Sequence, residues 1–447
     1  MSIFDNKRLD NETFKLDIAR MREGWYADKY FVNIARMLEE LDKQNYRFRG
    51  NSDRLPAHLS ADELAVGNIE VEMQWFTRRP GKTIVVGVDK ALTMLKHATG
   101  YFRDGKFVNT ADQLEVWAVQ DGSIVEYHGD PTRVQPVMKV RGRYRDFAIL
   151  ETSTLGILAR ASRVATNVYQ TQIAANGKPL MFFPARFDVH EVQAADGYAY
   201  QIALQRFNLD FAQHASPFIS TDAQGNWWGG FGGGTISHSG IASFLGDTAE
   251  ATLAFSRVLP VEIPRIALVD FSNDAVGISL EVTRAMFKKF IDLSRAGNHA
   301  EAARYRLYAV RVDTSGTMRD ISVEPLGDPS LDLGVNPRLV FKLREKLNQA
   351  WQSWNLSAEE LEPAKEFCRN VKIVVSGGFD IEKIAKFERL QVPVDIYAVG
   401  SSLFNNYGAT KTDFTADVVR VKLQGEWIEM AKEGRKANDN PDLERVW

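Results

Sequence analysis

The sequence predicts an α/β fold in which a (βα) barrel follows an N-terminal α+β domain. From about residue 148 onward, short apolar runs alternate with amphipathic helical stretches, a pattern typical of parallel strands covered by helices. Six such runs suit either a barrel or an open doubly wound sheet. Polar or glycine residues follow each run, and we favour the barrel because its strand ends form a single rim.

The length of 447 residues allows two or three domains,. We assign residues 1–147 to the α+β domain and residues 148–410 to the barrel. Residues 411–447 form a C-terminal extension that we expect to pack on the N-terminal domain. The extension is rich in both basic and acidic residues, which is typical of a protein surface.

The first domain combines helical and strand patterns. Helical spacing is found in WYADKYFVNIARMLEELDKQ and KALTMLKHATGYF. Alternation and β-branched content predict strands that we expect to form an antiparallel sheet, in NIEVEMQWFTR, KTIVVGVD, LEVWAVQDGSIVEYHG and VQPVMKVRGRY. The Asp121-Gly122 pair predicts a tight hairpin turn between Val119 and Ser123.

The second domain is predicted to begin with a long helical stretch, FAILETSTLGILARASRVATNVYQ. The predicted barrel strands are PLMFFPAR, GGTISH, RIALVDF, YRLYAVRVD, VKIVVSGG and VDIYAVGSS. The predicted helices between and after them include HEVQAADGYAYQIALQRF, SGIASFLGDTAEATLAFSRVL, GISLEVTRAMFKKFIDLSRAG, PRLVFKLREKLNQAWQSW and IEKIAKFERLQ.

Composition excludes several classes of protein. The formal charge of −3 provides no positive field that would recruit nucleic acid,. Cys368 is the single cysteine, which excludes an internal disulfide and a multi-cysteine zinc site and fits a reducing cytoplasm,. Neither a signal-peptide pattern nor a membrane-spanning apolar run is present, so we expect a soluble cytoplasmic protein that binds no membrane.

The residues at the ends of the barrel runs are the candidate site. A strand-end arginine is often a solvated surface group, and Asp270 could simply cap the next helix. A shared site on the rim explains the whole set of strand-end residues better than a separate ordinary role for each one. These residues are Arg186, His238, Asp270, Arg311 with Asp313, Ser376-Gly377-Gly378 and Gly400-Ser401-Ser402.

Two features of these strand ends indicate anion chemistry. The turns VSGGFD and AVGSS present backbone N–H groups between a strand and a helix, where they can hold a phosphate. His238 follows the glycine-rich run GGFGGGTIS, which allows a ligand to approach closely, and its imidazole could act as a base or a nucleophile. The sequence has no GxxxxGK[ST] or HExxH motif, so a P-loop and a histidine-bound zinc are not predicted.

Several stretches in order along the chain resemble the nicotinate phosphoribosyltransferases and the related nicotinamide enzymes. They are YADKYF, FAILETSTLGILARASRVATN, FFPARF, STDAQGNWWGGFGGGTISHS, LVDF, VRVDTSG, VSGGFD and AVGSS. The resemblance covers most of the chain. One departure is Ala398-Val399-Gly400, where the family carries two glycines around the valine.

The resemblance implies a type II phosphoribosyltransferase-like fold, an irregular (βα) barrel. It also implies that nicotinate reacts with phosphoribosyl pyrophosphate to give nicotinate mononucleotide and pyrophosphate, with ATP hydrolysis coupled through a phosphohistidine at His238. Mg²⁺ assists, and family members typically form homodimers in which an N-terminal tyrosine, here Tyr30, completes a partner's site.

The resemblance also suggests roles for the candidate residues. Arg186 and Arg311 suit bidentate contacts to phosphate or carboxylate. Asp270 and Asp313 could bind ribose hydroxyls or orient the metal, and Asp247 or Asp270 could fix the tautomer of His238. The remaining assignments are Phe183 and Tyr30 around the pyridine ring, and Ser376, Gly377, Gly378, Gly400 and Ser401 around the 5′-phosphate.

Three alternatives remain open from the sequence. Asp222 in STDAQ could accept a hydrogen bond from an amide, which would favour nicotinamide over nicotinate as the base. A different phosphate-binding barrel enzyme would use VSGG equally well, although it would not need the histidine after GGGT. A non-catalytic relative acting as a ligand sensor would bind phosphoribosyl pyrophosphate without turnover.

Overall fold

The computed structural model describes residues 3–61 and 64–447, and no helix in that part of the chain is long and apolar enough to cross a membrane. The strands are β1 (Glu70–Thr77), β2 (Gly81–Ile84), β3 (Gly100–Arg103), β4 (Lys106–Asn109), β5 (Glu115–Ala118), β6 (Ile124–Tyr127), β7 (Met138–Arg143), β8 (Leu180–Phe182), β9 (Phe218–Ile219), β10 (Ile266–Leu268), β11 (Ala309–Val312), β12 (Lys372–Val375), β13 (Ile396–Val399), β14 (Phe414–Leu423), β15 (Glu426–Glu429) and β16 (Glu444–Arg445).

The α-helices are α1 (Asn11–Phe14), α2 (Ile18–Arg22), α3 (Lys29–Lys43), α4 (Val88–Ala98), α5 (Tyr144–Phe147), α6 (Glu151–Ala174), α7 (Gln193–Phe211), α8 (Asp222–Gly225), α9 (His238–Ala242), α10 (Thr248–Val258), α11 (Ala275–Arg295), α12 (His299–Ala303), α13 (Pro329–Asp332), α14 (Pro337–Gln349), α15 (Ala358–Asn370) and α16 (Ile381–Arg389).

Residues 180–399 contribute a curled, all-parallel sheet of six strands, in the order β10-β11-β12-β13-β8-β9. The helices that connect these strands cover its convex face. The sheet is a half barrel, because within the described residues its two outer strands β9 and β10 do not pair with each other. The predicted fold class, a βα barrel of the irregular type behind an N-terminal domain, is therefore confirmed.

Alternation along each strand separates the two faces of this sheet. In β8, Leu180 and Phe182 pack outward into the large core shared with the helices, whereas Met181 points into a small inner cluster on the concave face. The inner cluster consists of Met181, Ile266, Ala309, Val374, Ile396 and Ala398, with Phe183 and Phe218 packed against it. Side chains two residues beyond these positions therefore project toward the carboxyl-end mouth of the half barrel.

The N-terminal segment contributes an antiparallel sheet, as predicted, and the end of the chain completes it. The strand order is β15-β14-β1-β7-β5-β16, so β14, β15 and β16 from the last part of the chain join strands from the first part. The register of β1 against β14 runs from Val71 opposite Val421 to Thr77 opposite Phe414. Helix α4 packs on this sheet through buried Val88, Ala91, Leu92 and Leu95.

Helix α6 connects the two sheets. It binds the N-terminal segment through hydrogen bonds from the backbone N–H groups of Ile84 and Val86 to Thr166 and Ser162, at 3.0 and 3.1 Å. On the barrel side, the Asn167 side-chain amide donates to the carbonyls of Leu403 and Asn405, at 3.0 Å each. The same helix therefore fixes the position of the loop after β13.

Arg79 is a fully buried cation at this junction, with 0% relative exposure. Its guanidinium donates to Asn167 Oδ1 on α6 and to Thr412 Oγ1, both at 2.9 Å. Burial, together with the charge of neighbouring Arg163, lowers the pKa of Arg79 to about 10. Among the described residues, its hydrogen-bond acceptors are all neutral oxygens.

Three predictions about local structure were wrong. GGTISH, residues 233–238, is not a strand: the isolated bridge to Ile219 is made by Gly232, just before it, and the sixth strand of the sheet is β9. The stretch SGIASFLGDTAEATLAFSRVL is not one helix, because a turn separates α9 from α10. Asp121-Gly122 does lie in a turn, but β5 and β6 belong to different sheets and form no hairpin.

We expect Arg79→Met to lower the free energy of unfolding by about 2–3 kcal/mol, because buried oxygen acceptors on two segments lose their donor. Urea unfolding followed by tryptophan fluorescence measures the change. Arg78→Met is the matched control, since Arg78 is partly exposed and has only a long 3.9 Å ion pair with Asp413; its effect should stay within about 0.5 kcal/mol. Equal losses in the two variants would contradict a special role for Arg79.

Candidate active site

Arg311 and Asp313 lie at the end of β11 on the mouth of the half barrel. The Arg311 guanidinium donates to Thr235 Oγ1 at 3.2 Å and approaches Asp313 Oδ2 at 3.5 Å. The other oxygen of Asp313 accepts a 2.8 Å hydrogen bond from Ser376 Oγ, at the end of β12. Three residues that the sequence predicted separately therefore form one connected network across neighbouring strands.

His238 and Asp270 form a second pair at the same mouth. His238 is the first residue of α9, and its Nε2 lies 3.1 and 3.2 Å from the two carboxylate oxygens of Asp270, which follows β10. Burial raises the pKa of Asp270; the bond to His238 opposes this shift, and the nearby charge of Asp313 adds to it. The alternative partner, Asp247, instead caps α10 by accepting from the N–H of Glu250 at 2.8 Å.

The His238–Asp270 pair is coupled electrostatically to the Arg311 network, because the negative charges of Asp270 and Asp313 repel each other. A carboxylate next to a neutral imidazole fixes which ring nitrogen carries the proton. When Asp270 is ionised it only accepts hydrogen bonds, so Nε2 carries the proton and Nδ1 keeps its lone pair. The His238 side chain is 47% exposed, which leaves it accessible to a ligand.

The two glycine turns lie at the same edge of the sheet. Gly377 and Gly378 both have positive φ values, 84° and 71°, which favour glycine,. Lys383 on α16 donates from Nζ to the Gly377 carbonyl at 3.3 Å. At the other turn, a Cβ on Gly400 would lie 2.7 Å from the ring of Phe187, so the loops after β13 and β8 are in close contact there. Ser401 follows Gly400 and is exposed.

Aromatic side chains occupy the floor of the mouth. The rings of Phe183 and Phe218 have centroids 5.9 Å apart, and the Arg311 guanidinium lies 5.7 Å from the Phe183 ring. Arg186 lies three residues further along the same loop, exposed, with its guanidinium 5.3 Å from the ring of Phe187. A flat ligand ring on this floor would meet an apolar surface with a cation at its edge.

Asp222 begins α8, just after β9. Its Oδ1 accepts a 2.9 Å hydrogen bond from the N–H of Gly232. The residue therefore attaches the glycine-rich run to the end of β9, where Gly232 also bridges to Ile219. This bond gives Asp222 a structural role that sequence reasoning did not predict.

Among the described residues, Tyr30 contacts Asp28 and Phe31 and none of the other candidate residues. It lies at the start of α3, is 61% exposed, and its hydroxyl is 3.5 Å from Asp28. Asp28 in turn accepts a 2.9 Å bond from Thr152 Oγ1 at the start of α6. Burial, together with the charges of Asp417 and Asp28, raises the pKa of neighbouring Glu151 to about 8. The contacts of Tyr30 are therefore with residues of the N-terminal segment.

Comparison with known proteins agrees with this architecture. Residues 59–162 match the family model of the quinolinate phosphoribosyl transferase N-terminal domain. Among solved structures, nicotinate-nucleotide pyrophosphorylase from Pyrococcus furiosus superimposes with a TM-score of 0.62 at 24% identity, covering 94% of this chain and 80% of that one. These likenesses show a type II phosphoribosyltransferase-like fold. Human nicotinic acid phosphoribosyltransferase gives a TM-score of 0.53 at 17% identity, over 88% of this chain and 74% of that one.

Within this type II phosphoribosyltransferase-like fold, sequence reasoning missed Arg160 on α6. Its guanidinium donates to both oxygens of Asp196 at 2.9 Å and to Asp188 at 2.7 Å. It also lies 5.2 Å from the ring of Phe404, in the loop after β13. Asp188 follows Arg186 by two residues, so Arg160 holds both the β8 loop and the β13 loop. The sequence signal that could have identified Arg160 is its charge, because most of its neighbours in the helix are apolar or small.

Replacing Arg160 with glutamine should free the β8 loop, because the charge-assisted bond to Asp188 is lost. We expect trypsin to cleave after Arg186 about tenfold faster, as loss of 1–2 kcal/mol of local stability would produce. Mass spectrometry of timed digests gives the rate.

The matched control is Arg206→Gln, which removes a similar arginine–aspartate pair, with Asp210, at the far end of α7. Its cleavage rate at Arg186 should not change. An unchanged rate in Arg160→Gln would show that other contacts hold the loop.

Proposed function

We propose that this protein is a nicotinate phosphoribosyltransferase of NAD salvage. Nicotinate and phosphoribosyl pyrophosphate would give nicotinate mononucleotide and pyrophosphate, with ATP hydrolysis coupled to the reaction. The observation that carries the proposal is the shared mouth of the His238–Asp270 pair and the Arg311–Asp313–Ser376 network. The human protein with the same fold is named for nicotinic acid phosphoribosyl transfer.

In the proposed transfer, the bond between the anomeric carbon and a pyrophosphate oxygen breaks, and the pyridine nitrogen bonds to that carbon. Positive charge develops on the ribose while negative charge accumulates on the leaving group. Arg311 would neutralise the leaving group or hold the nicotinate carboxylate, and Asp313 would bind the ribose hydroxyls. Ser376 fixes the Asp313 carboxylate, which keeps its orientation during the reaction. Backbone N–H groups of the Gly377 and Gly400 turns would bind the 5′-phosphate.

His238 would carry the ATP-coupled step. Its Nδ1 lone pair attacks the γ-phosphorus, ADP leaves, and the phosphohistidine later transfers its phosphoryl group to water. Asp270 stabilises the imidazole by accepting from Nε2–H,. Phosphorylation adds negative charge to the mouth close to Asp270 and Asp313, which would alter the affinity for anionic substrate and product.

Nicotinate is favoured over nicotinamide as the base. Asp222 was the residue that could have recognised an amide, but one of its oxygens already accepts from the backbone of Gly232. That bond explains the aspartate without an amide in the ligand. Arg311 beside Phe183 offers a cation at the edge of an aromatic floor, which suits a pyridine ring bearing a carboxylate.

The residues at the mouth fit Mg²⁺. Within the described residues, no group of three His, Cys, Asp or Glu side chains could hold a metal ion by itself. Mg²⁺ typically needs only one or two carboxylates in addition to substrate phosphates and water. Asp313 and Asp270 would hold the ion, because a bound cation would relieve the repulsion between their two negative charges. A bound Mg²⁺ would supply charge neutralisation for the pyrophosphate.

The proposal includes a homodimer with shared active sites in the cytoplasm. Tyr30 is exposed and, in the described part of the chain, contacts Asp28 and Phe31 rather than residues of the mouth, which supports a role for its ring in a partner's site. One buried free cysteine, Cys368, fits a reducing compartment,. Burial raises the pKa of Cys368 to about 11, which is consistent with a packing role for that thiol.

Purified protein should form nicotinate mononucleotide from nicotinate and phosphoribosyl pyrophosphate with Mg²⁺, and ATP should increase the rate. We expect kcat/KM to be at least about tenfold lower with nicotinamide, because its amide cannot pair with an arginine as a carboxylate does. Chromatography of the nucleotide product measures both reactions. Faster turnover of nicotinamide would assign the other base, and ligand binding without turnover would indicate a sensor.

ATP labelled at the γ-phosphate should transfer an acid-labile, base-stable label to the protein. His238→Ala should abolish the label, and Asp270→Asn should reduce labelling about 10²-fold, the usual size of a lost general acid–base interaction. His190→Ala is the matched control, since His190 is an exposed histidine in the loop after β8. Label that persists in His238→Ala would rule out the proposed phosphohistidine.

A further inference from the structure

Helix α6 presents a second arginine, Arg163, whose contacts differ from those of Arg160. The guanidinium of Arg160 donates hydrogen bonds to both oxygens of Asp196 and to one oxygen of Asp188. The remaining Asp188 oxygen accepts from the N–H of Val189 at 2.8 Å. Each of these four carboxylate oxygens thus accepts a hydrogen bond from another group, and the half-buried Arg163 forms an ion pair with neither carboxylate.

The guanidinium of Arg163 is poorly compensated. Its Nε atom is buried and has no hydrogen-bond partner among the described residues. Burial lowers the pKa of Arg163 and the charge of Arg160 lowers it further, while the charges of Asp196 and Asp188 oppose this shift only in part. Arg79 is a second buried cation close enough to interact with it. A buried, unpaired polar group is costly unless something binds it.

The register of α6 shows where Arg163 lies. Residues three and four apart share one face of a helix, so Arg160, Arg163 and Asn167 project on the same side. Arg160 binds Asp188 in the loop after β8, and Asn167 binds Leu403 and Asn405 in the loop after β13. Arg163 lies between these two anchors. Its side chain therefore faces the gap between the loops that carry Arg186 and the Gly400-Ser401 turn.

We propose that Arg163 is an additional anion-binding residue of this site and contacts a phosphoryl group held between the β8 and β13 loops. The identity of the ligand rests on the proposed function, which supplies two phosphoryl groups: the 5′-phosphate and the pyrophosphate. Bidentate pairing with phosphate oxygens would satisfy the free donors of the guanidinium. Arg186 and the Gly400 turn provide the opposite walls.

The test measures binding directly. Isothermal titration with inorganic pyrophosphate and, separately, with ribose 5-phosphate would compare wild type, Arg163→Gln and Arg163→Lys. We expect Arg163→Gln to weaken binding of at least one of the two ligands about tenfold, because the variant loses charge-assisted hydrogen bonds to phosphoryl oxygens. Arg163→Lys, which keeps the charge, should recover part of that loss. The ligand that loses affinity identifies which phosphoryl group Arg163 contacts.

Arg369→Gln is the control, because Arg369 is an exposed arginine on α15, away from the mouth. A second measurement uses the unaltered chain: pyrophosphate or ribose 5-phosphate should protect Arg163, but not Arg369, from modification by phenylglyoxal, as read by peptide mass spectrometry. This measurement remains valid if a variant folds poorly.

Unchanged affinities for both ligands, or modification of Arg163 that neither ligand slows, would overturn the inference. Neither readout requires turnover. Loss of binding in Arg163→Gln in a protein that makes no nucleotide would therefore support the anion site and count against the proposed reaction. Normal binding in Arg163→Gln, in an enzyme that does make the nucleotide, would support the proposed reaction and count against the anion site.

Discussion

The parallel alignment of six short strands is the constraint on which the site depends. Backbone hydrogen bonds between neighbouring strands force all their carboxyl ends to one edge of the sheet,. Side-chain alternation then selects alternate residues for the concave face. Met181 and Phe183 in one strand, and Ala309 and Arg311 in another, share that face because each pair is two residues apart. Residues far apart in sequence thus meet without any direct sequence signal that they are neighbours.

The mouth also depends on the helix that precedes the first parallel strand. Helix α6 contacts the N-terminal segment through Ser162 and Thr166, and the loop after β13 through Asn167. Arg79 adds a buried charge held by neutral oxygens at the same junction. This arrangement links the position of the N-terminal sheet to the loops of the site. A displacement of α6 would move both the β8 loop and the β13 loop.

Much of the fold could be predicted because hydrophobic periodicity is a local property. The long helix α6, strand β1 and the alternating units after residue 260 lie close to their predicted positions. The prediction of a strand at GGTISH was wrong because side-chain contacts hold the backbone of this segment. One of them is the hydrogen bond from the N–H of Gly232, just before the stretch, to Asp222. The two-residue strand β9 was missed because pairing with β8 creates it, and its sequence has no strand pattern of its own. Asp270 was predicted both as a site residue and as a possible partner of His238, since it ends an apolar run.

The sequence by itself determined which chemical groups end strands β8 and β10 to β13, because the alternation of apolar and polar residues is visible in the order of letters. The sequence also determined that the chain has a small net charge and a single cysteine, so neither a strong field nor a disulfide framework shapes the protein. Tertiary structure alone decided the pairings: His238 with Asp270 rather than Asp247, Ser376 with Asp313, and Arg160 with Asp188 and Asp196. These choices depend on distances of a few ångströms between segments tens of residues apart. Such distances are set by the curl of the sheet and the packing of α6, which no local pattern encodes.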